Sequence, residues 1–166
     1  MGFSGLTRRA FVASSAAALA AMESSRAFAQ PAGQRRVIID TDPGVDDAFA
    51  LLLALRSPEL KIEGLTPVAG NVPLDFTLPN ALRMLEIAGR TDIPVAVGAK
   101  APLMRRLVTA TYAHGENGLG GAVFPEPKLK PIADPAPVFI RQIVRKYPGE
   151  VTLVTLGPLT NVAEPA

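Results

Sequence analysis

The chain has 166 residues, no cysteine, one histidine and a formal net charge of +2. The absence of cysteine excludes disulfides and thiolate metal sites, and a single histidine argues against a soft-metal centre. The excess positive charge lies in residues 1–29, which contain Arg8, Arg9, Arg26 and Glu23, so the remainder of the chain is neutral. A neutral remainder argues against a nucleic-acid partner.

Residues 1–29 carry the features of an export signal in the usual order. A twin-arginine pattern surrounds Arg8 and Arg9, an alanine-rich apolar stretch follows at residues 10–22, and an A-x-A cleavage site ends at Ala29. The apolar stretch is too short to span a bilayer. We therefore expect cleavage after Ala29, export in the folded state, and a periplasmic mature protein without a membrane span.

Residues 30–166 alternate β-branched runs with amphipathic stretches, which is typical of one α/β domain. The first strand is predicted at Val37–Asp40, and a turn at Pro43-Gly44 leads into a helix from about Asp46 to Arg56. A second strand near Ile62–Val68 precedes a helix from about Asp75 to Ala88, for which Gly89 is a suitable C-terminal cap.

The later elements are separated by a long irregular segment, Gly98–Pro137, which we expect to be functional or mobile. A third strand is predicted before it, at Pro94–Val97, and a fourth near the chain end, at Val151–Leu156. Between them a helix should begin with Asp134 as N-cap and Pro135 at the first position. The expected core residues of that helix are Ile140, Ile143, Val144 and Tyr147.

Four carboxylates, Asp40, Asp42, Asp46 and Asp47, fall at the end of the first strand and the start of the first helix. Close carboxylates repel one another, so either some are protonated or a cation lies among them. Oxygen ligands suit a hard cation, Ca²⁺ or Mg²⁺. The alternative is that two acids cap the helix and another fixes the turn.

The alternation of strands and helices predicts a doubly wound, mainly parallel sheet. In such sheets ligands bind beyond the carboxyl ends of the strands. Three polar clusters follow predicted strands: residues 40–47, Gly70-Asn71, and residues 156–161. The topology therefore brings these clusters to one edge of the sheet.

Residues 40–48 resemble the N-terminal signature of the inosine-uridine-preferring nucleoside hydrolases, which cleave the N-glycosidic bond of ribonucleosides. Residues 69–72 and 154–161 are similar to the second and third motifs of that family, and residues 114–118 to a loop whose histidine lies near the nucleobase. The resemblance implies a Rossmann-like nucleoside hydrolase fold, a Ca²⁺ cofactor and a small-molecule ribonucleoside substrate.

Matched to the family motifs, Asp42 would ligate Ca²⁺ and take a proton from the attacking water, which makes it the catalytic residue. Asp47 would chelate the metal, and the main-chain carbonyl of Leu156 would be a third ligand. Asp40 matches an acid that supports the loop.

The same resemblance implies three substrate-binding residues. Asp46 would accept a hydrogen bond from a ribose hydroxyl, Asn71 would lie beside the ribose, and His114 would contact the nucleobase. Taken on residue type alone, Asn71 could be an ordinary turn residue and His114 an idle loop histidine.

The resemblance covers only the N-terminal half of the family domain, so further ribose ligands and a late metal-binding Asp are missing. The ending at residues 162–166 also departs from the expected helix, because Glu164-Pro165 would stop it after one turn. The domain is therefore expected to be truncated, by a shortened gene, a frameshift or fragmentation. We expect weak Ca²⁺ binding, slow or absent hydrolysis and association with copies of itself.

Two other functions stay open. Asp40-x-Asp42 after an apolar strand resembles the nucleophile motif of haloacid-dehalogenase-like phosphatases, although Gly44 replaces the Thr or Val of that motif. A non-catalytic periplasmic protein that binds a ribonucleoside or Ca²⁺ is the third possibility.

Overall fold

The computed structural model describes residues 33–164, so the predicted export signal lies outside the described residues. The three strands are β1 (Arg35–Thr41), β2 (Leu60–Pro67) and β3 (Val151–Thr155). The helices are α1 (Val45–Arg56), α2 (Leu74–Ala88), α3 (Thr111–His114), α4 (Ala136–Lys146) and α5 (Thr160–Ala163).

The strands form one parallel sheet, as the sequence predicts, and their order is β2-β1-β3. The central strand β1 pairs along its whole length with β2, from Arg35 opposite Leu60 to Thr41 opposite Pro67, with an irregularity between Val37 and Ile38. On its other side it pairs with β3, from Arg36 opposite Val151 to Asp40 opposite Thr155. All three strands therefore end at the same edge.

Side chains alternate across β1, and each face of the sheet has its own core. Val37 and Ile39 pack with buried residues of α1 and α2, whereas Ile38 packs with Ala136 and Phe139 of α4. Helices cover both faces, which confirms the doubly wound arrangement. All the polar clusters named above follow strands at the shared edge of this sheet.

The segment Pro94–Val97 forms no regular strand, although a strand was predicted there. It makes two isolated parallel bridges, Val95 to Leu65 and Ala96 to Ile132. Two bridges with different partners are too few for a ladder. The segment nevertheless lies beside β2, since the Leu65 N–H donates to the Pro94 carbonyl and the Ala96 N–H donates to the Leu65 carbonyl, each at 3.0 Å.

Helix α4 differs from its prediction at both its start and its buried face. Pro135, not Asp134, is the N-cap, and no side chain bonds the free N–H groups there. The buried residues are Ala136 and Phe139, and the predicted Ile140 and Ile143 are partly buried against the same cluster. Val144, also predicted in the core, is 42% exposed. Phe139 was not predicted to be buried because it lies in the first turn of the helix. Burial there depends on the neighbouring strand rather than on the periodicity of apolar residues.

Helix α3 was not predicted, and it lies inside the long irregular segment. Its four residues are too few for a periodic pattern. Among the described residues, no helix combines the length and apolarity that crossing a membrane would require.

Candidate active site

The site is built on the connection between β1 and α1, residues 42–47, called the acidic turn below. Asp42 and Asp47 are buried, whereas the Asp46 side chain is 77% exposed. Asp46 and Asp47 lie in the first turn of α1, where the helix dipole favours negative charge. The turn therefore holds two inward carboxylates and directs a third toward solvent.

Asn71, which follows β2, joins the two buried carboxylates. Its backbone N–H donates to Asp42 Oδ2 at 2.7 Å, and its side-chain Nδ2 donates to Asp47 Oδ2 at 3.0 Å. The same Nδ2 donates to the Asp42 carbonyl at 3.1 Å. Thr41 Oγ1 donates to the other oxygen of Asp47 at 2.8 Å. The structure thus brings Asp42, Asp47 and Asn71 together.

Two glycines let the backbone approach the Asp42 carboxylate closely. A Cβ atom added to Gly70 would lie 2.0 Å from Asp42 Oδ2, and one added to Gly157 would lie 2.8 Å from Oδ1. Any side chain at Gly70 would displace the carboxylate. Asp42 is therefore held between residues that follow β2 and β3.

The environment favours the neutral form of both buried acids. Burial, and then the repulsion of Asp47, raise the pKa of Asp42 to about 6, against the opposing hydrogen bond from Asn71. Burial is also the main cause that raises the pKa of Asp47, and the Thr41 hydrogen bond opposes it. A positive charge between the two carboxylates would offset both effects.

Asp40 takes part in a separate buried network. Thr66 Oγ1 donates to Asp40 Oδ1 at 2.6 Å, and Asn161 Nδ2 donates to the same oxygen at 2.7 Å. Asn161 also accepts from the Ala99 N–H at 2.8 Å, while Asp40 Oδ2 is buried without a hydrogen-bond partner. Burial raises the pKa of Asp40. This acid ties the strand ends together behind the acidic turn.

Leu156 follows β3 at the same edge of the sheet. Its N–H donates to the Asp40 carbonyl at 2.7 Å, which continues the pairing of β1 with β3 by one residue. Its side chain is 45% exposed and takes no part in the core. The contact of the next residue, Gly157, with Asp42 places this backbone beside the acidic turn.

His114 reaches the acidic turn from α3. Its Nδ1 accepts a hydrogen bond from the Val45 N–H at 3.3 Å and lies 3.7 Å from Asp46 Oδ1. Because Nδ1 accepts, the neutral ring carries its proton on Nε2. A Cβ atom added to Gly44 would lie 2.7 Å from His114 Nδ1, so only glycine admits the ring here.

Sequence reasoning did not single out Thr41, Thr66, Asn80 or the supporting roles of Gly70 and Gly157. Threonine at a strand end and glycine after a strand are common, and neither pattern indicates which carboxylate lies opposite. The parallel register could have identified Thr66, because it lies opposite Asp40 in the β1–β2 pair.

Comparison with known proteins identifies the family of this chain. The family profile described as inosine-uridine preferring nucleoside hydrolase matches residues 37–165. The chain belongs to this family.

Within the matched region, about half of the residues are identical to those of two curated nucleoside-cleaving relatives. The pyrimidine-specific ribonucleoside hydrolase RihA of Enterobacter sp. (strain 638) is 54% identical over 127 residues, which are 76% of this chain and 41% of RihA. Uridine nucleosidase 1 of Arabidopsis thaliana is 49% identical over 129 residues, 77% of this chain and 38% of that protein. The chain thus spans about two fifths of the length of these relatives.

Solved nucleoside hydrolases have the same fold over the same portion. The plant nucleoside hydrolase PpNRh1 superposes with a TM-score of 0.75 at 48% identity, covering 78% of this chain and 42% of the plant protein. The purine-preferring ribonucleoside hydrolase of Gardnerella vaginalis gives a TM-score of 0.74 at 32% identity with the same coverage.

The donor atoms of the site suit the hard cation expected of a nucleoside hydrolase. Asp42 and Asp47 offer carboxylate oxygens that accept from two different N–H groups of Asn71, and burial penalises their charge. Residues 33–164 contain no group of three or more His, Cys, Asp or Glu side chains placed to hold a metal ion. A cation here would therefore need backbone carbonyls or water in addition to the two carboxylates.

Proposed function

We propose that this chain carries the acidic part of a nucleoside hydrolase active site. The complete site uses water to cleave the N-glycosidic bond of ribonucleosides. The observation that carries the proposal is the shared hydrogen bonding of Asp42 and Asp47 to Asn71. Uridine and inosine are the substrates to test first, because the relatives named above act on pyrimidine ribonucleosides or uridine and the family is described by both nucleosides.

Asp42 is the proposed general base. Water attacks C1′ of the ribose, its proton passes to the Asp42 carboxylate, and the C1′–N bond breaks with its electron pair leaving on the nucleobase. The departing nucleobase then takes up a proton from solvent and Asp42 returns its proton to solvent, so the products are ribose and the neutral base. A general base works best with a pKa near the working pH. Burial raises the pKa of Asp42 to about 6 in the metal-free protein, and a cation bound beside it would lower this pKa.

The proposed ligands of a Ca²⁺ ion are the carboxylates of Asp42 and Asp47 and the main-chain carbonyl of Leu156. When bound there, Ca²⁺ would acidify water at the site and neutralise the repulsion between the two carboxylates. Asn71 orients both carboxylates, and the glycine contacts fix the position of Asp42.

Asp46 and His114 are proposed to bind the substrate. The exposed Asp46 carboxylate can accept a hydrogen bond from a ribose hydroxyl. His114 is fixed through Nδ1, so its Nε2–H is a donor for an acceptor atom of the nucleobase. Both side chains lie at the first turn of α1, with His114 Nδ1 3.7 Å from Asp46 Oδ1, which supports neighbouring ribose and base sites.

The test compares two proteins, the chain alone and residues 30–164 joined to the C-terminal part of the Enterobacter enzyme. Ribose release from uridine and inosine is measured with and without millimolar Ca²⁺. We expect the joined protein to hydrolyse at an ordinary enzyme rate of roughly 1–1,000 s⁻¹ and the chain alone to be far slower. In the joined protein Asp42→Asn should lower kcat by about 100-fold or more.

A matched control is Asp134→Asn, which removes the same charge from the segment before α4 and should leave the rate unchanged. Full activity of Asp42→Asn would contradict the assigned base. Ordinary turnover by the chain alone would contradict the expectation that this portion needs the rest of the domain.

The phosphatase alternative is disfavoured by the burial of Asp40. A nucleophile must reach its substrate, whereas Asp40 is completely buried and accepts hydrogen bonds from Thr66 and Asn161. Binding of ribonucleosides or Ca²⁺ without turnover stays an outcome of the same assay, combined with calorimetry.

A further inference from the structure

The acidic turn is connected to the loop that carries His114 by one buried side chain of α2. Asn80 is completely inaccessible to solvent. Its Nδ2 donates to the Pro43 carbonyl at 3.2 Å and to the Asn117 carbonyl at 2.9 Å. Pro43 belongs to the acidic turn, and Asn117 belongs to residues 111–121, called the His114 loop below. One amide group therefore bonds both segments.

The orientation of this amide is fixed by a neighbouring cation. Arg83 Nη1 donates to Asn80 Oδ1 at 3.1 Å, so the amide oxygen faces the guanidinium and both N–H groups face the two carbonyls. Arg83 is itself held by the Pro125 carbonyl and the Glu126 carboxylate, each at 3.1 Å. A flipped amide would leave two buried carbonyls facing an oxygen, which is unfavourable.

The His114 loop packs closely on this amide. A Cβ atom added to Gly118 would lie 3.0 Å from Asn80 Nδ2 and 3.1 Å from the Pro43 carbonyl, and Gly118 has a φ of +78°. The loop also bonds within itself, since the Gly120 N–H donates to the His114 carbonyl at 2.7 Å. The position of His114 is thus coupled to the position of the backbone at Asn117 and Gly118.

We propose that Asn80 is a positioning residue, which holds the His114 loop against the acidic turn so that the imidazole stays bonded to the Val45 N–H. It touches no substrate in this arrangement and acts through His114 and Pro43. The proposal rests on the proposed function in one respect, namely that the acidic turn and the His114 loop together form the substrate site.

The test uses His114 as a spectroscopic probe, because the chain has one histidine and its ring signals need no assignment. The full chain is labelled with ¹⁵N and studied without metal, in a chelator, at a pH well above the usual histidine pKa. Two quantities are measured: the ring nitrogen shifts of His114, and amide hydrogen exchange at Val45 relative to that at Ile38. Ile38 is completely buried in β1, so it reports global unfolding.

Asn80→Leu and Asn80→Asp both remove the two N–H donors at nearly constant volume. The matched control is Thr77→Val on the same helix, which removes a buried hydrogen bond from Thr77 Oγ1 to the Val68 carbonyl, 2.9 Å long, without touching the His114 loop. We expect the Val45 exchange rate, relative to Ile38, to rise about ten-fold in both Asn80 variants, together with a change in the ring shifts. Thr77→Val should leave both quantities as in the unchanged chain.

Unchanged ring shifts and an unchanged exchange ratio in the Asn80 variants would overturn the proposal, and so would equal changes in Thr77→Val. If the Asn80 variants do not fold, Gly118→Ala tests the same contact, because its Cβ atom would push the His114 loop away from Asn80 and the Pro43 carbonyl. It should produce the same two changes, and no change there also overturns the proposal. These readouts need no turnover. An inactive joined protein would therefore refute the proposed function without affecting this result.

Discussion

Asp42 lies where three chain segments meet, between the backbone at Gly70, the backbone at Gly157 and the N–H of Asn71. Its pKa is raised to about 6 because the burial of a charge costs more than one hydrogen bond to Asn71 returns, and Asp47 adds repulsion. In the metal-free protein this carboxylate therefore opposes folding when it is charged.

The sign of the pH dependence follows from that shift. A carboxyl whose pKa is higher in the folded than in the unfolded state stabilises the fold while it is protonated, below about pH 3.9, and this contribution is lost as the pH rises through about 6. Asp42→Asn should therefore stabilise the metal-free chain at neutral pH, by on the order of 3 kcal/mol, and have little effect at about pH 4. Urea unfolding in a chelator between these pH values measures the difference.

Asp92 provides a control of opposite sign. Its pKa is lowered, chiefly by the hydrogen bonds from Arg90, so its charged form favours the fold. Asp92→Asn should reduce stability at neutral pH and lose this effect in acid. If Asp42→Asn does not stabilise the chain more at neutral pH than in acid, the assigned cost of burying the Asp42 charge is wrong.

The roles of single residues were predictable only where a motif covers them. The cluster of four carboxylates indicated an oxygen-lined site, but it did not reveal that Asp40 bonds a different network from Asp42 and Asp47. That separation depends on Thr66 and Asn161, which come from other segments. Contacts of this kind follow from the sheet register, which local patterns do not specify.

Helix α4 covers one face of the sheet mainly through Phe139. The ring is 4% exposed and lies over Gly64 of β2, where an added Cβ atom would be 2.4 Å from it. Glycine in the middle of a strand is otherwise unfavourable, and here it makes room for the aromatic ring. The helix and the strand are therefore fitted to each other at this one contact.

We expect Phe139→Ala to destabilise the chain by about 3–5 kcal/mol, because it leaves a cavity above β2. The matched control is Val144→Ala on the same helix, where the side chain is 42% exposed and the cost should be within about 0.5 kcal/mol. Urea unfolding of both variants gives the comparison. Equal costs would contradict the dominant role of Phe139 in the contact between α4 and the sheet.

Elements with strong patterns were predicted well. Helices α1 and α2 begin and end within one or two residues of the prediction, since apolar spacing and the cap at Gly89 mark them clearly. Pro94–Val97 and α3 were predicted poorly because each is short and depends on neighbours for its conformation. Tertiary packing decides such segments.

At the scale of the whole molecule, the described residues leave apolar surface uncovered. Phe49 and Leu53 of α1 are 71% and 72% exposed, and Phe49 borders an apolar groove of about 330 Å³ between α1 and α2. Within residues 33–164, β3 also lacks a partner on its outer side. Exposed apolar surface and a free strand edge both favour association.

We therefore expect the mature chain to associate reversibly, and Phe49→Lys to weaken this association by about ten-fold or more. Light scattering over a range of concentrations measures it. Met104→Lys is the control, because Met104 is 91% exposed and lies away from the groove. Unaltered association of Phe49→Lys would exclude the groove as its cause.

The predicted export signal belongs to the same scale, because the twin-arginine route carries folded proteins. Arg8→Lys together with Arg9→Lys should leave the precursor in the cytoplasm, since the signal is recognised by a receptor. Cell fractionation measures the distribution. Periplasmic accumulation of the double variant would contradict the export prediction.

The central position of β1 also has a consequence for folding in time. This strand is made first among the described elements, yet one of its two partners is β3, and Asp40 bonds to Asn161, which lies 121 positions later. Contacts so distant in sequence form only after a large loop has closed. The conformational entropy lost in closing that loop slows folding. During synthesis β1 can pair only with β2 at first, so the side that will receive β3 stays open until residues 151–155 have left the ribosome.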